Sequence, residues 1–195
     1  MGVEFTPDSD STVAHIVTGS ALHDELSGAD GNDLLTGLAG DDVLYGNGGN
    51  DTLYGNQGSD ELHGGFGSDT FYGGQGDDTL FGDEGNDMLF GNLGDDTLVG
   101  GGGDDMLTGG GGADMFRMDR SGGDTILDFN QGAGDRIDLR FTSFERLDQL
   151  TVTQGSGANH YVVEGDANHD TVVDFHLDVF GAAVAPNQDA FIFAS

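Results

Sequence analysis

The chain has 195 residues, 36 of them acidic against five arginines and no lysine, for a formal charge of −31. That balance argues against nucleic acid and anionic membrane as direct partners. The length gives room for one elongated domain or two small ones, and the lack of cysteine rules out a disulfide framework and makes the fold indifferent to redox state.

Residues 1–27 read as a lead-in and cap. The opening MGVEFTPDSD is acidic and has no apolar run, so it does not resemble a signal peptide, and no membrane-spanning stretch occurs anywhere. Secretion, if it occurs, is then signalled elsewhere, or the chain is a fragment of a longer one. Ser11 to Val17 is predicted as a strand. The block GSALHDELS, Gly19 to Ser27, is a degenerate repeat with Gly19, Asp24 and Leu26 in place but no glycine fourth, as a solenoid end requires. Asp24 is a candidate additional ligand, whereas His15 and His23 read as cap or surface residues.

Residues 28–117 are ten blocks of nine without insertion or deletion, from GADGNDLLT to GGGGADMFR. Glycine stands first and fourth in every block and aspartate sixth, at Asp33, Asp42, Asp51, Asp60, Asp69, Asp78, Asp87, Asp96, Asp105 and Asp114. The eighth place is leucine except at Phe71 and Phe116. The first six places, glycine and small polar residues, suit turns with positive φ, and the last three have the two-residue period of a short strand. Two blocks close one coil of eighteen residues, so Leu35, Leu53, Phe71, Leu89 and Leu107 line one sheet and Leu44, Leu62, Leu80, Leu98 and Phe116 the other.

So thin a core does not offset backbone entropy of roughly 1–2 kcal/mol per residue, and ten stacked aspartates repel. Calcium answers both difficulties, being a hard cation that takes about six to eight oxygens from carboxylates and carbonyls. Five turns on each side leave four gaps apiece, hence up to eight ions, and without them this stretch is expected to be largely disordered. A flexible Gly/Asp linker has no reason to keep an apolar residue at every ninth place. Magnesium prefers a tighter octahedral shell, and zinc calls for His or Cys.

The ninth place faces outward. On one sheet it offers Tyr54, Tyr72 and Phe90, expected to stack about 4.8 Å apart and to stabilise the sheet, with contact to sugar or another domain as the alternative. The seventh place, including Thr52, Thr70, Met88 and Met106, adds a second outward column.

From Met118 the repeat ends. The five arginines, Arg117, Arg120, Arg136, Arg140 and Arg146, all lie within residues 117–146. DTILDF (Asp124 to Phe129) and GAGDRIDL (Gly132 to Leu139) are predicted as strands, and Phe141 to Leu150 as a short helix or a loop. Four further stretches are strand-like: TVT (Thr151 to Thr153), HYVVEG (His160 to Gly165), DTVVDF (Asp170 to Phe175) and the terminal AFIFAS. The echo of DTILDF in DTVVDF suggests two similar hairpins covering the open end of the solenoid.

The nonads, followed by GGADMFRM, SGGDTILDF and GDRIDL, resemble the RTX proteins of the type I secretion class, among them serralysin-type proteases, lipases and mannuronan C-5 epimerases. The resemblance implies an all-β fold, a right-handed parallel β-roll with a degenerate N-terminal cap and a β-rich C-terminal cap. It also implies calcium held by the ten aspartates with neighbouring glycine carbonyls, export through type I secretion machinery, and folding outside the cell in millimolar calcium beside a parent catalytic domain. The ending DAFIFAS is similar to the terminus of such substrates.

No catalytic signature is present: no HExxH, no Gly-x-Ser-x-Gly and no cysteine nucleophile. His160, His169 and His176, with nearby Asp166, Asp170, Asp174 or Asp178, read as surface polar residues more readily than as acid/base pairs. Three functions follow: a calcium-driven folding and secretion module; a polysaccharide-binding module in which the five arginines and Tyr54 and Tyr72 meet an anionic, alginate-like polyuronate; and a structural or adhesive spacer. The expected division is 1–27 cap, 28–117 roll and 118–195 C-terminal cap with the secretion signal.

Overall fold

The computed structural model describes residues 2, 4–5, 12–118, 122–140, 150–165, 175–181 and 185–193. Within them the chain is all-β. The strands are β1 (Glu4–Phe5), β2 (Ile16–Thr18), β3 (Glu25–Asp30), β4 (Leu34–Ala39), β5 (Val43–Gly48), β6 (Thr52–Gln57), β7 (Glu61–Phe66), β8 (Thr70–Gln75), β9 (Thr79–Glu84) and β10 (Met88–Leu93). They continue as β11 (Thr97–Gly102), β12 (Met106–Gly111), β13 (Met115–Arg117), β14 (Gly123–Ile126), β15 (Arg136–Asp138), β16 (Leu150–Gln154), β17 (His160–Gly165), β18 (Phe175–Phe180) and β19 (Phe191–Ile192).

From β1 to β15, odd and even strands separate into two sheets, and β17 joins the even one. One runs β1-β3-β5-β7-β9-β11-β13-β15-β19, the other β16-β17-β18-β14-β12-β10-β8-β6-β4-β2. Pairing along the roll is parallel and in register at a spacing of eighteen, as in Leu35↔Leu53 and Leu53↔Phe71, so each coil consists of two nonads. The eighth-place side chains are fully buried between the sheets from Leu26 to Phe116. Met118, Ile126, Phe129, Ile137 and Leu139 carry the same core onward, and Val163, Leu177, Val179 and Phe191 close it.

The strands are longer than the pattern suggested. Each takes the last three places of one nonad and the first three of the next, and pairing resumes at the second and third places, as in Leu38↔Asn56 and Ala39↔Gln57. Identical blocks stack in register, so even a bent segment meets its own copy one layer away. The turn amides follow suit: Gly58 N donates to the Gln75 carbonyl at 2.9 Å and Thr52 N to that of Asp33 at 2.8 Å.

Two local expectations need correction. Of the Ser11–Val17 stretch only Ile16 and Val17 are strand, as the start of β2; His15 falls in the turn, its amide donating to Asp33 Oδ1 at 2.6 Å, and Ser11 lies outside the described residues. DTILDF and GAGDRIDL do contribute strands, β14 and β15, but DTILDF is not part of a hairpin: β14 and β15 add one more parallel layer to the two sheets. The antiparallel closure is instead β16-β17-β18, joined to the roll by parallel pairing of β18 with β14. Most of DTVVDF and residues 141–149, expected as helix or loop, lie outside the described residues.

Candidate metal centre

The turns form two edges, and on each the sixth-place aspartates make a column. One column is Asp24, Asp42, Asp60, Asp78, Asp96, Asp114 and Asp135, in which each amide donates to Oδ1 of the next member at 2.8–3.1 Å. The other is Asp33, Asp51, Asp69, Asp87, Asp105 and Asp124, linked in the same way at 2.7–3.2 Å. Stacking at eighteen residues makes this ladder possible, because each carboxylate sits beside the amide of its own copy.

Oδ1 is thus used, and in nine of the repeat aspartates Oδ2 is not. Oδ2 of Asp33, Asp42, Asp51, Asp60, Asp69, Asp78, Asp87, Asp96 and Asp114 is buried and has no hydrogen-bond donor. A buried, unsatisfied carboxylate oxygen is costly. Its charge is disfavoured accordingly: burial pushes the Asp51, Asp78 and Asp87 carboxyls up to about 7 and those of Asp60, Asp96 and Asp114 up to about 6, with neighbouring carboxylates adding to the rise and the ladder amide opposing it.

The first-place glycines show what Oδ2 faces. They do not have positive φ; they are glycine because the space is taken. A Cβ on Gly73 would lie 2.4 Å from Asp78 Oδ2 and 2.8 Å from the Gly91 carbonyl oxygen one layer on. The same pair, the block's own aspartate and the next layer's glycine carbonyl, surrounds Gly28, Gly37, Gly46, Gly55, Gly64, Gly82 and Gly91. Within the nonads that makes eight oxygen-lined cradles, and Gly19 of the cap block faces the same pair, Asp24 Oδ2 and the Gly37 carbonyl. Among the described residues no three His, Asp or Glu side chains converge to hold an ion by themselves, so an ion on these edges takes much of its shell from backbone carbonyls. Orphaned carboxylate oxygens beside carbonyls form the donor set a hard cation such as calcium requires.

Positive φ belongs instead to the second and fourth places, as at Asn47 (77°), Asn56 (78°), Gly58 (125°) and Gly76 (122°). At the fourth place there is no room either: a Cβ on Gly76 would lie 2.0 Å from the Gly58 carbonyl oxygen. Ala29 and Leu38 also take positive φ at the second place, where most blocks use Asn, Asp or Gly.

All ten repeat aspartates lie on these edges. Asp24 is in line with them, but its Oδ2 accepts from Ser20 N at 2.5 Å and its Oδ1 from Ser20 Oγ at 3.1 Å. Asp124 and Asp135 extend the columns past the repeat, and sequence reasoning missed them because one and three extra residues shift them out of phase, to 19 and 21 residues from Asp105 and Asp114. The signal was there: GGDTI and GDRI keep the Gly, Asp and apolar residue of a nonad's second half. A further ladder also went unread, in which fifth-place side chains accept from the next layer, as Asn32 Oδ1 does from Asn50 N at 2.8 Å and Asp77 Oδ1 from Asp95 N at 2.9 Å.

The three described arginines have partners within the fold. Arg140 grips Asp138 through Nε at 2.9 Å and Nη2 at 2.6 Å, and Arg117 Nε lies 3.6 Å from the same carboxylate. Burial of Asp138 opposes its charge, yet the Arg140 guanidinium and amide, with Arg117, hold its carboxyl below the usual range. Arg136 Nη1 donates to the Gly134 and Asp135 carbonyls at 2.9 and 2.7 Å. Arg120 and Arg146 lie outside the described residues. Tyr54 stacks on Tyr72 at 4.8 Å, and Tyr72 on Phe90 at 5.2 Å; on the opposite sheet Tyr45, His63 and Phe81 stack at 5.0 and 4.7 Å. His160 and His176 both contact Asp178, at 2.7 and 3.4 Å, whereas His169 and Asp166, Asp170 and Asp174 lie outside the described residues.

Comparison with known proteins bears on the same residues. The RTX calcium-binding nonapeptide repeat (4 copies) matches residues 18–53, 54–89 and 81–116. Among solved structures, the AlgE6R3 subunit of the Azotobacter vinelandii mannuronan C5-epimerase is 31% identical with a TM-score of 0.57, over 66% of this chain and 80% of that one. The AlgE6R2 subunit of the same enzyme aligns at 23% identity and TM-score 0.43 over 92% of both chains. The extracellular lipase LipA from Serratia marcescens aligns at 20% and 0.42, over 94% of this chain and 40% of that one. Among curated protein sequences nothing matches. Modules of this repeat are characteristic of secreted, extracellular proteins, and they bind several calcium ions along the solenoid. With two parallel sheets at an eighteen-residue spacing and the family match covering just over half its length, the chain belongs to the RTX calcium-binding nonapeptide-repeat family.

Proposed function

We propose that this chain is the calcium-driven folding module of a larger secreted protein, with its ions held by Asp33, Asp42, Asp51, Asp60, Asp69, Asp78, Asp87, Asp96, Asp105 and Asp114 and by the first-place glycine carbonyls. The observation that carries this reading is the cradle: a donorless, buried Oδ2 facing a glycine carbonyl from the next layer. Metal supplies the missing positive charge there. The chain's own part is to present the oxygens, to use Oδ1 on the ladder amide so that Oδ2 stays aimed at the cradle, and to keep the first place free of a side chain. Binding and folding then become one event. On this reading residues 1–27 and 118–195 cap the 28–117 roll, a parent catalytic domain accompanies it, and type I secretion delivers it unfolded to calcium-rich surroundings.

The test is titration of the chelated protein with calcium, with magnesium as control, followed by far-UV circular dichroism and calorimetry. A cooperative gain of β signal with about eight ions bound is expected from the cradle geometry. A chelated protein already folded, and unchanged by calcium, would sink the proposal.

A second reading, binding of an anionic polyuronate, is supported by the likeness to a subunit of a mannuronan C5-epimerase and by the stacked Tyr54–Tyr72–Phe90 face. Arg117, Arg136 and Arg140 already have partners within the fold, so the sugar would have to share them. Binding of mannuronan oligomers that persists in Arg136→Ala/Arg140→Ala but fails in Tyr54→Ala/Tyr72→Ala would place the site on the aromatic face. No binding at all would dismiss this reading.

A further inference from the structure

The two sheets are built from one repeat, yet their outer faces differ. No residue of β4, β6, β8, β10 or β12 carries a charge, although the chain has 36 acids. The roll itself does not demand this, because the opposite sheet carries Glu61, Asp83 and Glu84 at outward places of β7 and β9. β2 continues the uncharged face at one end. At the other, acids return only beyond β14, as Asp178 and Glu164 on the outer side of β18 and β17.

The same face leaves apolar side chains in water. Of the eight large apolar side chains exposed among the described residues, Ile16, Leu38, Met88, Leu93 and Met106 lie on its strands. Its relief also changes by layer. The seventh and ninth places pair a small side chain with a large one as Thr52 with Tyr54, Thr70 with Tyr72, and Thr108 with Met106, in consecutive register along the sheet. In the remaining layer Met88 stands beside Phe90.

We propose that the outer face of the sheet from β2 to β14 is a dimer interface that holds a second copy of this chain face to face. Charge selects that partner. A basic partner would be drawn to the acidic edges, whereas a second copy presents the same excess of acids everywhere except on this face. Shape agrees, since a two-fold axis along the stack, midway between the two columns, sets each layer against itself with the columns exchanged. Threonine then faces tyrosine, Met106 faces Thr108, and the Met88 thioether meets the Phe90 ring, a favourable pairing. Seven strands about 4.8 Å apart, the full ones about 20 Å long, offer roughly 600 Å² on each copy. The pair buries about 1,200 Å², at the lower end of what specific complexes bury. The dimer rests on the reading that calcium folds the roll, because the face exists only when the layers are stacked, and bound ions also reduce the repulsion between copies.

The test is sedimentation velocity of the full chain in saturating calcium, from micromolar to millimolar protein, with circular dichroism on the same samples. Thr70→Glu places an acid on the face; Thr97→Glu places one at the same seventh place of the opposite sheet, where Glu61 shows that the fold accepts it. A dimer is expected for the parent chain, weakened at least about 100-fold in Thr70→Glu, where two like charges meet across the interface, and unchanged in Thr97→Glu. Sodium chloride should tighten it, since no ion pair crosses the face and screening removes only repulsion. A parent that keeps its β signal but stays monomeric overturns the dimer and leaves the calcium-folded roll standing, as does a dimer that both variants or neither weaken. Monomers that bind mannuronan oligomers, with binding lost in Thr70→Glu, would give the face to sugar and overturn the dimer. A chain without β signal in saturating calcium overturns the folding reading and the dimer together.

Discussion

Substituting Gly73 by alanine separates the two reasons a nonad needs glycine. Gly73 does not have positive φ, so alanine meets no backbone strain there, but its Cβ would sit 2.4 Å from Asp78 Oδ2 and 2.8 Å from the Gly91 carbonyl, in the cradle itself. One ion is lost. At free calcium 100-fold above the dissociation constant an ion contributes about 2.7 kcal/mol, and a domain of this size shifts by roughly 2–4 °C per kcal/mol. The calcium-loaded protein should therefore melt about 5–11 °C lower, with one ion fewer by calorimetric titration. Gly76→Ala in the same block is the contrast: φ is 122° and the Cβ would lie 2.0 Å from the Gly58 carbonyl oxygen. It costs at least about 1–2 kcal/mol from the left-handed conformation alone, and it disturbs the Gly76 N to Leu93 carbonyl bond of 2.9 Å, whatever the calcium concentration. Retention by Gly73→Ala of the parent's ion count and calcium-dependent melting temperature would refute the cradle as the binding site.

Acid should partly replace calcium. The folded-state carboxyls of Asp51, Asp78 and Asp87 are pushed by burial up to about 7 from the usual 3.8, so their contribution to the metal-free roll is fully present below the unfolded value and is lost as pH rises through about 7. The β signal of chelated protein should accordingly grow between pH 8 and pH 4, while calcium affinity falls over the same range because protons compete for Oδ2; a pH-independent signal in chelator would contradict the buried-carboxylate account. Tyr72→Ala removes two stacked contacts, at 4.8 and 5.2 Å, and should cost about 1–3 kcal/mol by thermal melting in saturating calcium, without changing the ion count. Asp138→Asn removes the charge that Arg140 grips at 2.6 and 2.9 Å and should cost about 1.5–3 kcal/mol, measured in the same way and again with no ion lost.

The nonad spells out the middle of the molecule. An invariant Gly-x-x-Gly-x-Asp-x-apolar block can only bury one large side chain per nine residues and bring identical turns together if each block lies over the second block on. Coil length, the split of Leu35 and Leu44 onto facing sheets, the aromatic ladder from Tyr54 and the two aspartate columns were all legible for that reason. Calcium was legible too, because stacked carboxylates without cations require a counter-charge.

What the pattern could not carry is whatever depends on space between layers. Glycine in the first and fourth places looks alike in sequence, yet one makes room for Asp78 Oδ2 and the other takes a φ of 122° under a carbonyl. Asp124 and Asp135 join the columns only after one and three extra residues are absorbed in the cap turns, a slip that breaks a nine-residue count but not an interlayer hydrogen bond. Nor does the spacing of the arginine-rich stretch tell that Arg117 and Arg140 meet over one buried carboxylate, Asp138. Repetition is a local property, and the chain itself determined it. How the repetition ends is settled by which side chains the last layer brings within reach of the one below, and only the tertiary structure decided that.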